Sequence, residues 1–468
     1  MLLLLSHILY AERTGQSFMF TRPVQRNLAA QQSIWHNVFL DKPPCGIRGA
    51  FQGIFLYQQT PRTAPDKIKR YFLINGKETL LVKGDNAVDA VNRDIRAEWL
   101  QLDSTYAGNF TINPIQEQLA FWGEYNQDIA TFIHHPFFDN LWVSLAFTAQ
   151  RIQNNLQFSS VTTSTTAPIS PIANLDIAFS RNNMLYAKMA DKKIKETSIA
   201  EIVLKLGATF LYCEGFQIAA YSLFLAPAHG RATPKFIFDA YISNNRHWGF
   251  GQGVLSQFPL NCSNEAIFAF YFNVENIFFL RNTQLRTFDL KNKPFSRYLL
   301  LNNRNGTCVN IPATNFLTRE VRVEPFNQVD LSTGFRWYNE IVEVELGYDL
   351  WAHGNEEIVP RKPLPEEFGI AGSMPGITAS NSTIDTLAPD DLDDMGNPTF
   401  VPIRIRDLDR RSVAARSALV HRAHGVIGFN IESDFGNIFA AVGGFYEIPN
   451  DNSALYNWGI WAKGGGAF

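Results

Sequence analysis

Apolar and polar residues take turns along this chain, most clearly at its C-terminus. Tyr456, Trp458, Ile460, Ala462, Gly464, Gly466 and Phe468 fall on one parity, and Asn457, Gly459, Trp461, Lys463, Gly465 and Ala467 on the other. Successive side chains of a β-strand point to opposite faces, so a period of two predicts a strand with one apolar face. Val342, Val344, Leu346, Tyr348 and Leu350 repeat the pattern, with Glu343, Glu345 and Asp349 on the opposite face. Ile202, Leu204, Leu206, Ala208, Phe210 and Tyr212 oppose Lys205 and Thr209. Phe236, Phe238, Ala240 and Ile242 oppose Lys235 and Asp239, and Phe268, Phe270, Phe272 and Val274 continue the series. Ala423, Gly425, Ile427, Phe429 and Ile431 face away from Arg422, His424, Asn430 and Glu432. Together with Ile438 to Tyr446 and the last strand they read as an antiparallel meander. Earlier runs lie at Phe51 to Gln59, Leu119 to Tyr125 and Leu141 to Gln150. The expected total is roughly fourteen long strands, within about 12–16.

Runs of this length match the roughly 9–11 residues that a tilted strand needs to cross a bilayer core. No stretch offers the ~18 consecutive apolar residues of a helical span. The nearest, Ala266 to Leu280, holds Asn273 and Glu275, which a strand can turn to its inner face. An open sheet edge in lipid would leave N–H and C=O groups unpaired, so the sheet must close. The expected fold is therefore all-β: a closed antiparallel transmembrane β-barrel with long extracellular loops. Bacterial single-chain barrels have even strand numbers. The 38 Phe, 15 Tyr and 9 Trp suit such a wall, whose rims carry aromatic girdles.

The last strand resembles the terminal strand of bacterial outer-membrane barrels, which ends in Phe after apolar residues at every second position. Trp458, Ile460, Ala462 and Phe468 match, while Gly464 and Gly466 depart from it. The resemblance implies recognition by the barrel-assembly machinery and insertion into outer-membrane lipid. The general architecture resembles porins and hydrophobic-substrate channels of the fatty-acid-transporter type. Asn92 to Pro114 and Ser412 to Phe468 resemble uncharacterised outer-membrane barrels of similar length. The likeness to porins also implies an oligomer, a trimer being the porin habit.

Three stretches interrupt the alternation. Residues 1–11, MLLLLSHILYA, read as a secretory signal shortened at its start, broken by Glu12-Arg13. Residues 12–48 are mixed and polar, and either precede the barrel or fold into it as a short plug. Residues 49–468 then form the barrel. Within it, 355–416 is a long loop with Pro360, Pro363, Pro365, Pro375 and Pro389, and one short helix is expected near 409–417. Asp390, Asp391, Asp393 and Asp394, followed by Arg404 and Arg406, make this loop a candidate pore constriction, since facing charges tune which ions pass. The acidic run fails the EF-hand pattern, with Met395 and Pro402 where oxygen ligands belong, and reads first as a solvated loop.

Candidate lumen-lining charges are Lys205, Asp239, Glu343, Glu345, Asp349, Arg422, Glu432 and Lys463. The alternative is a filled interior in which these charges pair with one another. A net charge of −3 gives no global signal for nucleic acid. Cys45, Cys213, Cys262 and Cys308 show no metal spacing, and Cys262 and Cys308 are the pair to consider for a disulfide. His421 and His424 are three apart and point to opposite faces of a strand, which is a poor metal pair. No catalytic or nucleotide motif is present, so neither an enzyme nor a cofactor is expected. The expected function is an outer-membrane channel for diffusion of small solutes or ions. The alternatives are a structural or surface-interaction barrel and, third, a barrel lipase or protease.

Overall fold

The computed structural model describes residues 15–35, 49–62, 68–129, 140–164, 172–213, 216–231, 233–262, 266–372, 384, 395, 399–433 and 436–468. Twelve strands close into one barrel. They are β1 (Gly49–Gln59), β2 (Ile115–Asp128), β3 (Asn140–Asn155), β4 (Ile194–Cys213), β5 (Phe216–Pro227) and β6 (Gly249–Cys262). The circuit continues through β7 (Ile267–Phe279), β8 (Gln328–Tyr338), β9 (Val342–His353), β10 (Ala418–Ser433), β11 (Gly436–Pro449) and β12 (Asn457–Ala467). Each strand pairs antiparallel with its neighbours in this order, and β1 closes the ring by pairing with both β2 and β12. Ile54, for example, lies between Trp122 and Lys463. Closure pairs the backbone groups that lipid cannot satisfy.

The predicted alternation decides which face is which. Leu204, Leu206, Phe335, Leu346, Ile427, Val442 and Ile460 stand exposed on the outside. Glu343, Glu345, Asp349, Arg422 and Lys463, on the opposite parity, are buried inside. Asn273 and Glu275 on β7 are likewise turned inward and buried. An apolar exterior band over polar inner positions is what a bilayer requires of a barrel.

The strand number is twelve, not fourteen. The run Phe236 to Ile242 is the instructive error: it alternates, yet it forms turns outside the barrel. Ile237 and Phe238 are buried there in an apolar core of a different kind. At one end of the barrel lie brief connections such as 339–341 between β8 and β9. At the other end residues 60–114, 156–193, 228–248, 280–327, 354–417 and 450–456 link the strands. Their described residues fold together into a cap. Tyr71, Phe158, Phe238, Phe288, Leu408 and Leu455, one from each connection, share a single hydrophobic cluster. Short sheets support it, among them Thr318–Glu324 between Asn282–Thr287 and Glu357–Pro360. Long loops that bury their own apolar side chains add alternating runs that never reach the membrane, which explains the overcount.

A fully buried ion pair ties the cap. Arg297 Nε donates to Asp289 Oδ1 at 3.0 Å and Nη2 to Oδ2 at 2.6 Å. Asp289 also accepts from the backbone N–H of Phe295 and Arg297. Cys308 lies exposed in this cap, while Cys262 ends β6 at the short-turn end, so the two are at opposite ends and do not pair. The expected helix near 409–417 is only a single turn, Arg410–Ser412. Residues 1–11, Cys45, His134-His135 and Asp390, Asp391, Asp393 and Asp394 lie outside the described residues.

Two outcomes follow. Placing a charge on the lipid face, Leu346→Arg, is expected to destabilise the barrel by roughly 2–4 kcal/mol, measured by urea unfolding in lipid vesicles. In the cap, His247 Nδ1 donates to Leu280 O at 2.8 Å and Nε2 accepts from Gln284 Nε2 at 2.9 Å. Burial, aided by the nearby Arg286 charge, holds His247 neutral by lowering its pKa from 6.5 to about 4. The unfolded chain binds this proton first, so its contribution is intact above pH 6.5 and lost on acidification through about pH 4, by about 3 kcal/mol. Hydrogen exchange of residues 280–287 should accelerate across that window, and His247→Gln should flatten the response.

Candidate functional site

The lumen is occupied by the chain's own residues 15–35. This segment enters from the cap. Gln16 N donates to Tyr71 O at 2.9 Å, Ser17 N to Ser412 O at 2.8 Å, and Ser17 Oγ to Thr287 O at 2.7 Å. Gly15 has no room for a side chain, since a Cβ would lie 2.2 Å from Phe72 O. Phe20 stacks on Trp351 with centroids 6.2 Å apart, and Tyr241 donates its hydroxyl to Met19 O at 3.0 Å. Below this, the segment meets the barrel wall through two arginines.

Arg22 Nη2 lies 2.7 Å from Asp330 Oδ1 on β8, and Nη1 lies 3.0 Å from Glu447 Oε1 on β11. Its guanidinium sits over the Trp351 ring at 5.9 Å. Arg26 Nη2 is 2.9 Å from Glu201 Oε1 on β4, and Nη1 is 3.5 Å from Glu275 Oε1 on β7. Tyr221 donates its hydroxyl to Glu275 Oε2 at 2.7 Å, and Ser243 Oγ donates to Glu201 Oε2 at 2.6 Å. All six charged groups are buried. An ionised group stripped of water is tolerable only when paired and hydrogen-bonded in this way.

The lower half is held by backbone contacts. Asn27 caps the short helix Leu28–Gln32, its side chain accepting from Ala30 N at 3.1 Å. Lys463 Nζ donates to the carbonyls of Ala30, at 3.0 Å, Gln31 and Ser33. Ile34 N donates to Glu343 Oε1 at 3.1 Å. Gly428 on β10 leaves the space that Ile34 fills, for a Cβ there would meet Ile34 Cδ1 at 1.8 Å. Trp35 packs edge-on against Phe439 at 5.9 Å. Thus the plug passes from the cap end to the short-turn end. Beside it lies a small recess of about 30 Å³, lined by Trp35, Trp142, Tyr221, Lys205 and Glu124.

The wall also pairs with itself. Arg336 lies 3.2 Å from Glu343 and 2.9 Å from Glu345. Arg422 meets Glu447 at 2.5 Å and Asp349 at 3.6 Å, and His424 Nδ1 is 3.2 Å from Asp349. Lys205 is 3.5 Å from Glu124, with the Trp122 and Tyr221 rings 5.5 and 5.4 Å away.

Of the sequence candidates, Lys205, Glu343, Glu345, Asp349, Arg422 and Lys463 meet in this interior. Glu432 lies on β10, but its side chain is outside the described residues. Asp239 is not in the wall. It closes a turn in the cap, accepting from Lys235 N and Ala240 N at 3.0 Å each, and burial pushes its carboxyl up to about 6. Arg404 and Arg406 do not line a constriction either: Arg404 pairs with Glu366 and Arg406 with Asp407 on the cap surface. Loop charges that can reach water stay there, because burial would cost them their hydration. Trp458, Ile460 and Phe468 stand on the outer face, and Ala462 shares it. His421 points outward to Tyr348 and His424 inward to Tyr271.

The alternation missed Arg22 and Arg26, which lie off the strands, and did not single out Glu201, Asp330 or Glu447. Each of these three acids sits on a strand parity opposite exposed apolar residues, and that signal was available.

The fold and its filled lumen define the class: a membrane-spanning β-barrel of twelve strands, capped and plugged. No family model and no curated protein matches the chain. Among solved structures it is similar to the COG4313 outer membrane channel from Pseudomonas putida F1, at 8% identity over 92% of this chain and 98% of that one, TM-score 0.39. The transport unit of the autotransporter AIDA-I from Escherichia coli matches at 7% identity over 95% and 98%, TM-score 0.34. A Pseudomonas aeruginosa FadL homologue matches at 9% identity over 97% and 96%, TM-score 0.28. These are likenesses of general shape, and the barrel assignment rests on its strand pairing and apolar exterior.

Removing one latch should be costly to the plug. Arg26→Ala strands Glu201 and Glu275 without their cation, a loss of about 3–5 kcal/mol. Faster hydrogen exchange in residues 20–35, with the barrel strands unchanged, is the expected readout.

Proposed function

We propose that this protein is a gated outer-membrane channel for small polar solutes, with residues 15–35 as the gate in its closed position. The observation that carries the reading is the chemistry of the plug's contacts. The plug meets the wall through ion pairs and hydrogen bonds at Arg22, Arg26, Val24, Gln31 and Ile34, beside an apolar contact made by Val24, Ala30, Ile34 and Trp35. The wall behind it presents Gln52, Gln116, Gln118, Ser144 and Gln150, all buried. Water can replace the polar contacts, so withdrawal of the plug leaves a wettable bore. A permanently open diffusion pore does not fit the filled lumen.

The test is conductance in planar bilayers. The unaltered protein should be nearly silent. Arg22→Ala/Arg26→Ala frees the upper plug, and Gly428→Val expels Ile34 without touching a charge; both should raise the open probability by more than about tenfold, since each removes several kcal/mol of latch. Silence in both, with heat-resistant barrel folding on gels, would defeat the gate.

The second reading is a surface-interaction barrel. It is favoured by the cap, where Val88 and Val91 stand more than nine-tenths exposed. Loss of partner adhesion on charging both valines, with conductance unchanged, would support it.

A further inference from the structure

The plug's two arginines are not matched by the wall in the way the other lumen charges are. Several acids of the bore have a cation of the wall beside them: Arg336 for Glu343 and Glu345, Lys205 for Glu124, Arg422 for Asp349. For others the balance differs. Among the described residues no wall lysine or arginine forms an ion pair with Glu201, Glu275 or Asp330. Their cations are Arg22 and Arg26, which belong to the plug. Glu447 is shared between Arg22 and the wall's Arg422.

These four carboxylates come from β4, β7, β8 and β11, with Glu275 and Asp330 side by side on the neighbouring strands β7 and β8. Each plug arginine bridges two of them. Each clamp adds an aromatic partner, the Trp351 face for Arg22 and the Tyr221 hydroxyl on Glu275 for Arg26. Two carboxylates with an aromatic group form a receptor for a guanidinium or an ammonium ion. When the plug leaves, Glu201, Glu275 and Asp330 lose their counter-charges inside a narrow wall, and a mobile cation must take their place.

We infer that the channel selects cationic solutes bearing guanidinium or ammonium groups, and that Arg22 and Arg26 occupy the sites those solutes use in passage. The inference rests on the gated-channel reading and adds its substrate class. Rings of acidic side chains act this way in cation-selective pores. A solute that displaces the arginines from their clamps also competes directly with the closed state, so the permeant ion favours opening.

Two measurements on the full-length Arg22→Ala/Arg26→Ala barrel test it. In a KCl gradient the reversal potential should show a severalfold preference for potassium over chloride, falling toward none when Glu201→Gln and Glu275→Gln are added. Agmatine, a small guanidinium amine, should bind the double variant in detergent by calorimetry. Its affinity should fall more than about tenfold with the two glutamines, as expected for lost hydrogen bonds between charged groups. Conduction without cation preference overturns the inference and leaves the gate standing. So does agmatine binding that is absent or indifferent to the glutamines. A silent bilayer with agmatine bound in the clamps counts against the gate and supports the site.

Discussion

A bilayer offers no hydrogen bonds, and the rest of this structure answers to that constraint. The strands pair around a full circle because any free edge would hold bare N–H and C=O groups in hydrocarbon. Closing the sheet sorts side chains into two solvents. Leu206 and Leu346 go to lipid while their sequence neighbours Lys205 and Glu345 go to the bore. The interior then has its own requirement: charges gathered there must find partners or water. Here they find each other and the plug.

The plug and the cap solve different problems. The cap is a small globular body built from the connections at one end, and its cohesion is hydrophobic, with Tyr71, Phe179, Phe288 and Tyr298 buried at its centre. The plug owes its place to the ion pairs of Arg22 and Arg26 and to apolar packing of Val24, Ala30, Ile34 and Trp35 against the wall. An ionic latch is strong while dry and weak once water enters, whereas an apolar core holds in either case. The first anchor of the plug, from Gly15 to Ser17, lies in the cap, so the cap holds one end of the plug.

The way charges are shared inside the bore gives the gate a chemical character. Acids matched by wall cations remain neutralised whatever the plug does. Acids matched only by Arg22 and Arg26 change their state with it. A single segment thereby sets both whether the bore is filled and what field it presents. The deepest of the wall's own pairs, Arg336 with Glu343 and Glu345, keeps the lower bore constant.

The sequence by itself determined the strand class, the closed barrel and the assignment of faces. The period of two is a local property, and membrane burial enforces it residue by residue along Val342–His353 or Asn457–Ala467. It also flagged residues 12–48 as a stretch that could enter the barrel. Tertiary structure alone decided the strand number, because Phe236 to Ile242 alternates as well as a spanning strand does and only its packing into the cap removes it from the wall. It decided that Asp239, Arg404 and Arg406 stay out of the bore. It also decided the partners of Arg22 and Arg26, whose carboxylates lie hundreds of residues away at Asp330 and Glu447 or Glu201 and Glu275. Such contacts depend on how a ring of strands brings distant positions to one height, and no local period encodes that height.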